Sequence, residues 1–353
     1  MSKPEIILHH YQGSPYAEKV VAALRVRGIP WCSVSTSALL PRPLLEPLAH
    51  GYRRIPVMQI GNNIYCDTAV ILEELERHYP NPRQGDVVVA DMISSWVDKQ
   101  LFNNVRDQMP WGATKEEQKA SPLHAVFGNP AFLADRSQLT GGRPINTDAI
   151  RKAQPFLLDQ LLANLDSLEK ALRGPLARSK SASSVNGQSE GGWIMGTRVP
   201  SDADCSVYGI IWWLMTTKRA PEFVTEAAYP GVFTWYNQMN DYMKKYCHAT
   251  LDQVKMSGED ALQIARSAST SANSGWTKLE DSAHPAEKRK AGEVVSVTPN
   301  DYGKVPVVGK ILQITRHRVT ILPEPLASHP DIKVIMHFPR AGYVIVPVGK
   351  ASL

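Results

Sequence analysis

Three short segments hold residues whose types and order suit chemistry: Ser14 in Ser14-Pro15-Tyr16, the pair Ile55-Pro56, and the pair Asp67-Thr68. Ser14 stands where the apolar run Ile6-Ile7-Leu8 gives way to Val20, Val21, Ala23, Leu24 and Val26 at helical spacing. The proline beside it suits a first helical turn. A hydroxyl there lies near unpaired backbone N–H groups and the positive end of a helix dipole, a setting that favours an anion. Read alone, such a serine is a helix cap.

The segment Tyr52-Arg53-Arg54-Ile55-Pro56-Val57-Met58-Gln59-Ile60, the turn Gly61-Asn62-Asn63 and Ile64-Tyr65-Cys66 read as two strands of a hairpin. A proline opening a strand needs an edge or a special geometry. A cis Ile55-Pro56 bond would leave the backbone of Ile55 to pair with an extended ligand; a trans edge proline is the plain alternative. Asp67-Thr68 precedes Ala69-Val70-Ile71-Leu72-Glu73-Glu74-Leu75, whose apolar residues repeat at helical spacing. As caps these two residues need no ligand. As a site they offer an acceptor for an ammonium group and donors for a carboxylate.

The elements that must position these residues run strand, Ser-Pro helix, strand, strand with proline, strand, Asp-Thr helix. That order resembles the thioredoxin-like N-terminal domain of the cytosolic glutathione transferases. Trp193-Ile194-Met195-Gly196-Thr197 and Pro200-Ser201-Asp202-Ala203-Asp204-Cys205 continue the resemblance, with Ser201 and Asp204 as a capping box before the apolar run to Met215. It covers about residues 4–250. The resemblance implies that Ser14 steadies the glutathione sulfur, that Ile55 and Pro56 present the strand taking the cysteinyl part, and that Asp67 and Thr68 hold the γ-glutamyl end. Many members carry Glu-Ser where this chain has Asp-Thr, a shorter pair of equivalent chemistry. The Ser-Pro-aromatic form is similar to serine-type transferases. A cysteine is absent at that place, which argues against thiol-exchange chemistry. Arg54 and Arg42 are candidates for the glycyl carboxylate, and Tyr11 and Tyr16 are the nearest alternative hydroxyls to Ser14.

The implied chemistry is a glutathione thiolate, stabilised by a hydrogen bond to sulfur, attacking a hydrophobic electrophile held by the helical domain. Trp96, Gln100, Asn103, Trp111 and Trp212 are candidate lining residues, although residues of these kinds are more often plain helix core. The same site would serve a glutathione-dependent cis/trans isomerase in secondary metabolism, and a non-catalytic binding module is the third reading. The resemblance also admits a homodimer.

Composition fits two or three domains without a membrane span: 353 residues, 43% hydrophobic, 21% charged, net charge +5. Lys288-Arg289-Lys290 sits beside Glu287 in a linker, which argues against nucleic-acid binding. Met1-Ser2-Lys3-Pro4 leads straight into a strand, so a cytoplasmic protein without a secretory signal is expected. Cys32, Cys66, Cys205 and Cys247 lack pair spacing and read as buried free thiols.

The expected organisation is an α/β thioredoxin-like domain over 1–83 and an all-α domain over 84–250, with a polar, disordered insertion at 177–192. A helix and linker follow over 251–292, the stretch 266–292 being rich in serine, alanine and charge. Residues 293–353 hold about five strand-like segments, from Glu293-Val294-Val295 to Tyr343-Val344-Ile345, and predict a small antiparallel β module, barrel-like if it closes. Its expected place is over the helical domain. His317, His329 and His337 lack metal spacing and read as surface or sheet histidines.

Overall fold

The computed structural model describes residues 5–81, 85–174, 192–246, 254–270, 279 and 283–349. The first apolar run forms β1 (Ile7–His10), and Ser14 opens α1 (Pro15–Val26), which Gly28 ends at a φ of +60°. β2 (Cys32–Ser35), α2 (Glu46–Ala49), β3 (Val57–Ile60), β4 (Asn63–Cys66) and α3 (Thr68–His78) complete the thioredoxin-like unit. β1 pairs parallel with β2 and antiparallel with β3, and β3 pairs antiparallel with β4.

The helical domain starts with α4 (Val87–Trp96), a π turn over Val97–Leu101 and α5 (Phe102–Asp107), then α6 (Lys115–Ala120), α7 (Pro122–Phe127), α8 (Pro130–Leu139) and α9 (Thr147–Arg173), with Pro155 inside it. α10 (Asp202–Thr217) begins at the Ser201–Asp204 capping box, and α11 (Pro230–Tyr246) packs beside it. Buried Asp204 also accepts the Ile194 N–H at 3.0 Å and the Trp235 ring N–H at 2.8 Å, so one carboxylate ties two approaches to the helix. α10 lies close against α1: a Cβ on Gly209 would come within 2.5 Å of the Pro15 carbonyl oxygen. A two-pronged ion pair at 2.7 and 2.8 Å joins Arg27, at the end of α1, to Asp202 at the start of α10. The start of α1, where Ser14 sits, is therefore fixed by both domains.

β5 (Val254–Lys255) adds to the free edge of β2, and α12 (Gly258–Thr270) follows. The helix occupies the start of the stretch read from its composition as linker, because Ala261, Leu262 and Ala265 bury one face on the sheet. The insertion expected at 177–192 and Cys247 lie outside the described residues, apart from Gly192. Cys32, Cys66 and Cys205 are buried free thiols.

The last segments form β6 (Val294–Pro299), β7 (Val307–Ile314), β8 (Arg318–Leu322), β9 (Ile335–Pro339) and β10 (Tyr343–Pro347). Each pairs antiparallel with its neighbour in the order β10-β6-β7-β8-β9. Only Arg340, Ala341 and Gly342 join β9 at one margin to β10 at the other. Such a link spans at most about 14 Å, whereas flat strands would separate the margins by about 19 Å, so the module must curl toward a barrel.

It does not lie over the helical domain as expected. β9 pairs parallel with β4, and the two units share one ten-stranded sheet, β10-β6-β7-β8-β9-β4-β3-β1-β2-β5. The reason is a common core: Leu48, Tyr52, Val57 and Ile64 pack with Val297, Ile311, Ile321 and Phe338 in one cluster. Each such side chain contributes about 1.5–3 kcal/mol by leaving water, so the unpaired edge of β4 is a better seat than a helix surface. Arg318 of β8 is 2% exposed and meets Glu74 of α3 at 2.8 Å, with Glu73 at 3.1 Å. His337 of β9 is a sheet-core residue that bonds Thr320 at 3.1 Å and Asn63 at 3.0 Å and stacks on Tyr65.

Candidate active site

Ser14 caps α1 with φ −83° and ψ 116°, and its Oγ accepts the Ala17 N–H at 3.2 Å. Its own O–H proton has no acceptor among the described residues, and the side chain is buried. A hydroxyl that accepts one backbone N–H and keeps its proton free is a donor aimed by its cap bond.

The Ile55–Pro56 peptide is cis, and the β3 ladder begins only at Val57. Neither the N–H nor the C=O of Ile55 makes a hydrogen bond among the described residues. Backbone groups at a half-buried position rarely stay unpaired, so this pair is available to an extended ligand.

Asp67 caps α3 at φ +98°, a conformation L-residues seldom take, and its Oδ1 accepts the Ala69 N–H at 3.1 Å. Thr68 opens the helix, buried, with neither its N–H nor its hydroxyl bonded among the described residues. The other oxygen of Asp67 receives Arg54 at 3.4 Å and the Tyr343 hydroxyl at 3.1 Å. Tyr343 also bonds the Tyr52 hydroxyl at 3.0 Å, and the Arg54 guanidinium lies 5.6 Å from the Tyr343 ring centre.

Arg54 and Arg42, both expected near a carboxylate of the ligand, are occupied within the chain. Arg54 bonds Asp67, Asp301 and, at 2.7 Å, the Tyr302 carbonyl. Arg42 gives its donors to the carbonyls of Ser37 at 2.8 Å, Ala38 at 3.3 Å and Arg53 at 2.6 Å, holding the loop before α2. Burial opposes ionisation of Asp301, but Lys99 and Arg54 outweigh it and hold the carboxyl down at about 2.

Tyr16 points toward the same region. Burial pushes its phenol well above the ordinary value, and Asp98 and Asp67 push it further. Its ring sits 4.9 Å from Phe102, which stacks on Trp213 at 6.0 Å, an aromatic row along the helical domain. Asp98 lies in the π turn, meets buried Lys19 at 3.3 Å and keeps a second, buried oxygen without a partner. Burial raises its pKa, Lys19 lowers it, and nearby Asp67 raises it. Asn103 bonds the Tyr302 hydroxyl at 3.0 Å, whereas Trp111 belongs to the core with Phe127 and Phe132, and the Trp96 ring N–H is spent on Asn164. Trp212 packs half-buried on the helical core, and Gln100 is exposed.

Sequence reasoning missed Tyr343, Asp301 and Tyr302, because 276 residues separate Tyr343 from Asp67 and no local spacing encodes the contact. It also missed Asp98 and Phe102. A lysine at position 19, directly before the apolar run Val20–Leu24, was the available signal for a buried carboxylate partner.

A thioredoxin-like unit with an edge-free cis-proline corner, joined to an all-α domain, is the architecture of glutathione-transferase-like proteins. Residues 8–83 match the family described as glutathione S-transferase, N-terminal domain, and residues 118–246 match a domain of unknown function, DUF7962. Residues 8–83 thus form a glutathione S-transferase N-terminal domain, and the chain as a whole has a glutathione-transferase-like fold. The crystal structure of a glutathione-transferase-like protein from Pseudomonas syringae is 23% identical, with a TM-score of 0.67, over 98% of this chain and 99% of that one. A tau class glutathione S-transferase from mango, Mangifera indica, is 14% identical over 70% of this chain and 97% of that one, with a TM-score of 0.47. No curated protein matches the sequence. Among the described residues no helix is long and apolar enough to cross a membrane.

Proposed function

We propose that the protein is a glutathione S-transferase that activates the glutathione thiol for attack on a hydrophobic electrophile. The observation that carries this reading is the unpaired backbone of Ile55 beside cis Pro56, between two helix starts that offer Ser14 and Asp67-Thr68. The cysteinyl part of glutathione pairs with Ile55. The γ-glutamyl carboxylate takes the free N–H and hydroxyl of Thr68 at the positive end of α3, and the ammonium faces Asp67. The sulfur then falls at the start of α1, where the Ser14 O–H donates to it. A hydrogen bond to sulfur favours the thiolate over the thiol, so the fraction of nucleophile at neutral pH rises.

The acceptor lies along Tyr16, Phe102 and Trp213. The thiolate pair forms the C–S bond while electrons pass to a leaving group or to an adjacent activating group, which then takes a proton from water. Tyr16 is no base at neutral pH, because burial first and Asp98 second keep its phenol protonated. The test is calorimetric titration of the protein with glutathione, followed by mass spectrometry of products from activated alkenes. Binding with glutathione retained in the product is expected. Products isomerised without a glutathione adduct would replace transfer by isomerisation, and failure to bind glutathione would leave only a binding module of this fold.

A further inference from the structure

The cations on the segments around the Ile55 corner are already engaged. Arg42 is spent on three carbonyls, and Arg53 on Asp135 at 2.9 Å and Gln138 at 2.8 Å. Arg106 holds Asp107 at 2.7 Å and Arg136 holds Asp135. Arg54 and Lys99 remain as the pair next to the site, and Asp301 takes both, Lys99 at 2.6 Å. Their two positive charges stand against the two negative charges of Asp67 and Asp301. A carboxylate arriving beside Arg54 meets a resident carboxylate that is ionised throughout the neutral range.

Nor is that resident a loose one. The Gly303 N–H bonds the Leu139 carbonyl at 2.8 Å, Tyr302 bonds Asn103, and the Arg106 guanidinium lies 5.9 Å from the Tyr302 ring centre. The loop is thus fastened to both the thioredoxin-like and the helical domain. Lys304, one residue beyond, is exposed, and a solvated ammonium adds little to binding. The other end of a ligand meets the opposite conditions: Thr68 offers unbonded donors at a helix start, and Ile55 offers an unbonded backbone.

We infer that the site reads the γ-glutamyl-cysteinyl part of its thiol peptide and does not read a carboxylate beyond it, with Asp301 as the residue that excludes one. The inference rests on the glutathione reading above and narrows its substrate class to γ-glutamyl-cysteinyl thiols, whatever follows the cysteine. Calorimetry on the full chain tests it with glutathione, γ-glutamylcysteine, the glycyl ethyl ester of glutathione and cysteinylglycine. The first three are expected to share a Kd within about threefold, since no charge is matched at the third residue. Cysteinylglycine, lacking the γ-glutamyl group, is expected to bind about tenfold more weakly or worse.

A tenfold loss for γ-glutamylcysteine and the ester would overturn the inference while leaving the transferase reading intact. Equal binding of cysteinylglycine would overturn it from the other end. Binding of none of the four would remove the transferase reading and this one with it. In Asp301→Asn, Arg54 and Lys99 lose their carboxylate, and glutathione is expected to bind about three- to tenfold more tightly than its ester. Equal affinity in that variant would overturn the role given to Asp301.

Discussion

The two helix starts that frame the site are capped alike and built differently. Ser14 opens α1 with ordinary extended backbone, and its side chain makes one cap bond, accepting the N–H of Ala17 three residues on. Asp67 opens α3 with the same kind of cap bond but at φ +98°, where a non-glycine residue stores about 1–3 kcal/mol. Tyr343 and Arg54 hold it there, one from the far end of the chain and one tied to Asp301. On the proposed function, the local cap suits an unvarying task, donating a hydrogen bond to the thiolate sulfur. On the same reading, the remote-held cap would make recognition of the γ-glutamyl end depend on the β module.

Breaking the module should therefore separate the two. Arg318→Ala strips the cation from Oε2 of buried Glu74, leaving Arg77 on Oε1, and is expected to cost about 3 kcal/mol in denaturant unfolding. In whatever remains folded, glutathione affinity should fall while the pKa of bound thiol, read by thiolate absorbance, stays depressed. The same cluster sets an acid limit. Burial opposes it, but Arg77 and Arg318 hold Glu74 at about 2, below its ordinary 4.5. That stability is present above 4.5 and is lost as pH falls toward 2. Burial also keeps His337 neutral down to about 3 from an ordinary 6.5, so the decline begins already below 6.5. Melts between pH 8 and 3 should show this slope, and Arg318→Ala should flatten its lower part.

Asp67→Asn removes the charge that faces the γ-glutamyl ammonium. A charge-assisted hydrogen bond is worth about 1.5–3 kcal/mol, so glutathione should bind roughly ten- to hundredfold more weakly. Unchanged affinity would reduce Asp67 to a cap. Ser14→Ala should do the converse: affinity nearly kept, turnover down roughly ten- to hundredfold, and thiol pKa raised. Should turnover and thiol pKa both stay put, activation comes from elsewhere. The smallest effect belongs to Tyr343→Phe, which deletes one hydrogen bond to Asp67 and should weaken glutathione by about two- to tenfold without touching thiol pKa.

What the sequence made legible was what short-range physics encodes. Alternation and turns located the strands from Val294 to Pro347, and the Ser201–Asp204 spacing marked a helix start. The seat of the module was not legible. Two exposed strand edges can pair in many ways, and the choice of β4 for β9 rests on a core assembled from both ends of the chain. Arg42 shows the same limit at the site: its type suits a carboxylate, yet its direction is set by three carbonyls that no spacing announces. Composition misled at residues 266–270, where serine and alanine continue a helix because Ala265 packs on the sheet.

The pairing of β4 with β9 also sets a timetable for synthesis. Asn63 and His337, neighbours in the finished sheet, are 274 residues apart. At about 5–20 residues per second, roughly 14–55 s pass on the ribosome before β4 can meet its partner strand. During that interval the first unit carries a bare strand edge and the uncovered faces of Val57 and Ile64. The nascent chain is thus exposed to edge-to-edge pairing with neighbouring chains on a polysome, and slower translation lengthens the exposure.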